Sequence, residues 1–108
     1  MDTRGKEGHQ LELVAVAKAV LEGELDLLEG VRKIVALRHE SDDPEDEIFI
    51  PLRAIDSETD HFPAGSVRTH YAAEALERVD DEMRRYFADA RSEILAACRE
   101  IVRVYSPH

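Results

Sequence analysis

The chain contains no tryptophan, one cysteine, four prolines and five glycines in 108 residues, and aromatic side chains make up only 6% of it. A single thiol, Cys98, excludes an internal disulfide framework. So few prolines and glycines exclude a low-complexity or collagen-like segment. No apolar run approaches the roughly eighteen residues needed to cross a bilayer. The N-terminus, "MDTRGKEGHQ", lacks the apolar stretch of a secretory signal. Together these shortages make the cytoplasm the expected location, with residues 1–9 a flexible N-terminal segment. The shortage of aromatics also argues against a base-stacking platform, so Tyr71, Tyr86, Phe87 and Tyr105 read as core or dimer contacts.

Basic residues are short as well: 14 Lys and Arg stand against 24 Asp and Glu, a net charge of −10. The imbalance is local. Residues 1–39 hold six bases and seven acids, and residues 61–108 hold seven and eight. Residues 40–60 hold nine acids (Glu40, Asp42, Asp43, Glu45, Asp46, Glu47, Asp56, Glu58 and Asp60) against Arg53 alone. Such a field repels phosphate backbones and anionic lipid, so neither nucleic acid nor a membrane surface is an expected partner. A basic protein surface or a divalent cation is the better match.

What is present is mostly helical pattern. With 44% apolar and 35% charged residues, a chain of this length buries roughly 65% of its unfolded surface, enough for one core and one domain. "LELVAVAKAVL" (11–21) is apolar almost all round, which places it at the centre of a bundle. Gly23 reads as a left-handed helix stop. Asp26 and Glu29 fit a reciprocal cap opening a second helix. Leu27, Leu28, Val31, Ile34 and Val35 form the stripe of that helix, and Gly30 would let a neighbouring backbone come close. An antiparallel helical hairpin is the expectation.

"SDDPEDEIFIPLRAIDSETDHFPAGS" breaks the periodicity. Residues 40–66 read as a long acidic loop in which "IFIPLRAI" is extended, with Pro51 arguing against a central strand. From Ala72 to Tyr105, Leu76, Val79, Met83, Phe87, Ala90, Ile94, Ala97, Ile101 and Tyr105 recur at the helical period. They mark one long helix, or two if Asp80 and Asp81 cap a fresh start. Glu74 with Arg78, Asp80 with Arg84 and Asp81 with Arg85 stand four apart in the favourable order. The fold class read here is all-α: a small helical bundle made of the hairpin, the acidic loop and the C-terminal helix or helices. Apolar surface left on the long helix suggests a homodimer.

"LEGELDLLEGVRKIVALRHE", "AIDSETDHFPAGSVR" and "AACREIVRVY" together resemble a family of small bacterial proteins with no assigned activity. The shared pattern is a helix ending in Gly-Glu, a second opening Glu-Gly-x-Arg, and an Asp-Ser-Glu-Thr-Asp loop. The resemblance implies a helical, cytoplasmic, bacterial protein of the kind that neutralises a partner, and it assigns no catalytic residue.

Three candidate sites emerge from the residues. Asp42, Asp43, Glu45, Asp46 and Glu47 form a surface for a basic partner. Asp56, Glu58 and Asp60 occupy the first, third and fifth positions of an EF-hand loop, but His61 stands where glycine is required and Val67 where glutamate is required. The EF-hand reading fails, leaving a looser cation site with His61, or a small metal-assisted hydrolase, as the alternative function. Exposed like charges about 4 Å apart repel by only about 1 kcal/mol in water, so crowding in an open loop tunes acidity little. No nucleophile elbow, phosphate-binding glycine loop or zinc-binding helix motif is present, no cofactor is expected, and a non-catalytic interaction module of inhibitor or immunity type is favoured over an enzyme. Finally, Arg32 or Arg68 is expected to clamp one of Asp56, Glu58 or Asp60, because a guanidinium grips both oxygens of a carboxylate. Cys98 reads as a small buried hydrophobe.

Overall fold

The computed structural model describes residues 4–63 and 65–106, with the backbone alone for residues 4–9, 40 and 65. Among the described residues there are four α-helices and no strand: α1 (Arg4–Leu21), α2 (Leu27–Leu37), α3 (Ile50–Glu58) and α4 (Ala73–Tyr105). Short 3₁₀ segments at Arg38–Glu40, Glu47–Phe49 and Gly65–His70 join them. The expected all-α bundle is the observed fold.

The hairpin forms for the reasons its sequence supplies. Gly23 has φ of 76°, its amide donates to the Val20 carbonyl at 3.2 Å, and the Glu24 amide donates to Ala19 at 2.9 Å. These are the two bonds of a Schellman motif, and they satisfy the carbonyls that the end of α1 leaves unpaired. Asp26 caps α2 by accepting from the Glu29 amide at 3.5 Å. At Gly30 a Cβ would overlap the Cγ2 of Val20, so it is a neighbouring side chain, and not a backbone, that uses the space.

α1 departs from expectation in two ways. It begins at Arg4, ahead of the apolar run; of the segment expected to be flexible, only residues 1–3 lie outside the described residues. It is also not buried all round. Leu13, Val14, Ala17 and Val20 are buried, but Leu11 is 52% exposed, because α1 packs mainly on α4 and α2, leaving its third side open.

The long C-terminal helix is continuous through Asp80. Its 33 residues span about 50 Å at 1.5 Å per residue, matching the 52 Å long axis of the molecule. Its buried residues, Phe87, Ile94, Ala97, Cys98 and Ile101, all lie from Phe87 onward, leaving about the first four turns without a buried side chain. Of the expected acid–base pairs, Asp81 joins Arg84 at 2.8 Å, three residues on, while Asp80 turns away to Arg68.

The largest correction concerns residues 40–66. "IFIPLRAI" is not extended: Glu47–Phe49 is a 3₁₀ turn running directly into α3. Pro51 sits in the first turn of α3, where its missing N–H is not needed. Phe49, Leu52, Ile55, Thr59 and Phe62 are buried, three or four residues apart, so the segment contributes a helical stripe to the core. Each of the four largest is worth about 1.5–3 kcal/mol of transfer free energy when removed from water, far more than the repulsion among exposed carboxylates. Acidity therefore does not hold this segment open.

Candidate functional site: an acidic groove between α3 and α4

The acids of the first candidate surface act largely on their own backbone. Asp43 accepts from the Glu45 amide at 3.2 Å. Asp46 accepts from the Ile48 amide at 3.0 Å, which starts the 3₁₀ turn. The second oxygen of Asp46 accepts from the Tyr105 hydroxyl at 3.3 Å, while Tyr105 stacks on Phe49. Burial, then the charge and hydrogen bond of Asp46, push the Tyr105 phenol up to about 12. Glu45 pairs with Arg53 at 2.9 Å and lies 3.6 Å from Arg38. Asp42 accepts from Gln10 at 2.9 Å. Glu47 is exposed. Arg38 is a buried cation beneath this turn, donating to the Pro44 carbonyl at 3.0 Å, and its Nε has no partner.

The two arginines expected to clamp carboxylates do fasten the chain after α3, but at different atoms. The Arg32 Nη2 donates to the carbonyls of Thr59 (2.9 Å) and Phe62 (2.8 Å), tying α2 to the turn that leaves α3. Those carbonyls point back toward α2 because Thr59 and Phe62 are themselves buried. Asp56 only feels the Arg32 charge: burial pushes its carboxyl up, Arg32 opposes that, and Asp60 reinforces it. Arg68 grips both oxygens of Asp80, at 2.8 and 2.7 Å, and reaches the Pro63 carbonyl at 3.4 Å.

Asp56, Glu58, Asp60 and His61, proposed as a cation group, diverge. Asp56 is half-buried and Asp60 exposed. Glu58 accepts from the Tyr86 hydroxyl at 2.5 Å, and His61 faces Glu82 at 3.5 Å. The reason is the helix: on α3, positions 56 and 58 point about 200° apart, whereas on an extended loop they would share a side. Among the described residues no three His, Cys, Asp or Glu side chains come together as a metal cluster. Cys98 is fully buried, and burial pushes its thiol up to about 11, with Arg99 opposing.

What the tertiary structure builds instead is a groove of about 370 Å³ between α3 and α4, lined by Pro51, Ala54, Ile55, Glu58, Tyr86, Asp89, Ala90 and Glu93. The two helices run antiparallel, since Glu58 bonds Tyr86 while Phe49, just ahead of α3, stacks on Tyr105. Each contributes one stripe at i, i+3, i+4 and i+7: residues 51, 54, 55 and 58 from α3, and 86, 89, 90 and 93 from α4. The floor is apolar and the rim carries three carboxylates; no basic side chain lines it. Burial first, then the hydrogen bond and charge of Glu58 and the charge of Glu93, push the Tyr86 phenol up to about 12. Among the described residues neither Asp89 nor Glu93 has a hydrogen bond or ion pair.

Of the groove's three acids the sequence singles out only Glu58 as a candidate site residue, while Tyr86 and Ala90 read as core or contact positions. Asp89 and Glu93 carried a signal: they are like charges four apart, a spacing that destabilises a helix, on a helix whose other acids mostly precede a base. No family model matches the chain, and no curated protein or solved structure matches it significantly. Among the described residues no helix is long and apolar enough to cross a membrane.

Proposed function

We propose that the protein is a non-catalytic interaction module that engages a basic protein partner, as an inhibitor or immunity protein does. The observation that carries this reading is the α3–α4 groove, in which Glu58, Asp89 and Glu93 surround an apolar floor with no cation among the lining side chains. Three carboxylates held near one another without an internal counter-charge are relieved by a cation from outside. The rest of the field, from Asp42, Asp43, Glu47 and Asp60, extends the negative face and speeds encounter with a positive one. The test is recovery of partners on the immobilised native protein and on the triple variant Glu58→Gln, Asp89→Asn, Glu93→Gln. Basic proteins held by the first and lost from the second support the reading. Equal recovery on both overturns it.

A further inference from the structure

The groove has the form of a seat for a third helix. Its two walls are helical stripes of matching length, and both carry alanine at the centre, Ala54 and Ala90. Small residues at facing positions let an incoming backbone approach closely, while large ones would hold it away. Ala54 is exposed and Ala90 only half-buried, so this floor is open to solvent. An extended strand has nothing to join, since the walls are helices whose backbone groups are already paired internally. The acids stand on both walls: Glu58 is the last residue of α3, and Asp89 and Glu93 lie about one turn apart on α4.

We propose that the occupant of this groove is an amphipathic α-helix of a partner protein. It would lay small or aliphatic side chains on Ala54, Ile55 and Ala90 and place Lys or Arg at its edges against Glu58, Asp89 and Glu93. This rests on the basic-partner reading above and adds the partner's secondary structure and the pattern of its side chains. Charge complementarity selects it over a second copy of this chain, which would bring a further net charge of −10 to an acidic face. It also selects it over nucleic acid, whose phosphates the same rim repels. Recognition by an amphipathic helix laid in a groove uses anchors spaced i, i+3, i+4 and i+7, the spacing the two walls present.

The probe is a synthetic amidated peptide of about 16 residues, long enough for roughly four helical turns, built from Lys, Leu and Ala with Leu and Ala on one face. Its control has the same composition in an order that forms no apolar face. Binding is read by fluorescence anisotropy, and its position by amide chemical shifts of the labelled protein. The expected result is that the amphipathic peptide binds about tenfold or more tightly than its control, with shifts centred on residues 51–58 and 86–93. Ala54→Gln, which fills the floor without altering charge, should remove that advantage and leave the control unaffected. Equal binding of the two peptides, with or without Ala54→Gln, overturns the helix inference while leaving the basic-partner reading standing. Failure of both peptides to bind the native protein overturns both. Dimers in sedimentation of the protein alone that dissociate in the Ala54→Gln variant would assign the groove to a second copy and overturn the proposal.

Discussion

The hairpin of α1 and α2 and the segment from Arg38 to Pro63 fold by different means, although each contains a helical turn capped by an aspartate. In the hairpin the information is local: Gly23 ends one helix and Asp26 starts the next, three residues later. In the acidic segment Asp46 caps a turn in the same way, but that turn also meets Tyr105 from the far end of the chain, which bonds Asp46 and stacks on Phe49 of the turn. Negative charge is thus put to work as backbone capping in both regions, and what separates them is how far along the chain each helix finds its support.

That contrast is most severely tested at Phe49. It is fully buried and joins the acidic segment to the end of α4, so Phe49→Ala should cost about 3–5 kcal/mol. In a domain whose whole stability is of order 5–15 kcal/mol, urea melts will show a large loss. If the segment folds on local capping alone, the loss will be small and confined to hydrogen exchange in residues 47–58.

Arg32→Ala comes next. It removes the guanidinium from two carbonyls, those of Thr59 and Phe62; charge-assisted bonds of this kind are worth about 1.5–3 kcal/mol each and are not additive. The expected outcome is a loss of about 2–4 kcal/mol together with faster amide exchange after Glu58, while exchange in the α1–α2 turn is unchanged. A uniform rise in exchange across both regions would show that the two are not separable.

Gly30→Ala strikes the hairpin instead. The new methyl meets Val20, and overpacking of this sort costs about 1–3 kcal/mol. Val20→Ala in the same chain should recover part of that loss by making room, a pairwise coupling that a double-mutant cycle measures.

The smallest effect is alkaline. Tyr86 and Tyr105 each bind their proton more tightly when folded, to about 12, against about 10 when unfolded. Between those values the unfolded state has lost protons that the folded state keeps, so raising the pH favours unfolding. The stabilisation is complete below about pH 10 and disappears as the pH passes through about 12. Tyr86→Phe with Tyr105→Phe should flatten the fall in melting temperature across this window. Glu58→Gln alone should bring the Tyr86 phenol titration down, read by tyrosinate absorbance.

Much of the architecture was legible because the relevant signals are short-range. The apolar recurrence from Leu76 to Tyr105 marks the helical C-terminal segment, with Cys98 on its inward side, but leaves open a break at Asp80 that the structure does not have. α3 escapes the sequence reading because its segment reads as a break in the helical period, with Pro51 weighed only against a central strand, although Phe49, Leu52, Ile55 and Thr59 stand three or four residues apart. The groove was harder to see. Its walls come from residues roughly thirty positions apart, and the like-charged pair Asp89 and Glu93 was its one local trace.

The amino-acid order by itself determined the helical class, the hairpin turn and the apolar stripe of the C-terminal segment, because periodicity and capping act within a few residues of chain. Only tertiary packing decided that residues 47–58 are helical, that the C-terminal helix runs unbroken through Asp80, that Arg32 fastens the Thr59 and Phe62 carbonyls while Arg68 grips Asp80, and that Glu58, Tyr86, Asp89 and Glu93 share one groove. Those outcomes rest on partners 12 to 59 residues apart, brought together by burial of a common core, and burial is a property of the assembled helices that no short stretch of chain contains.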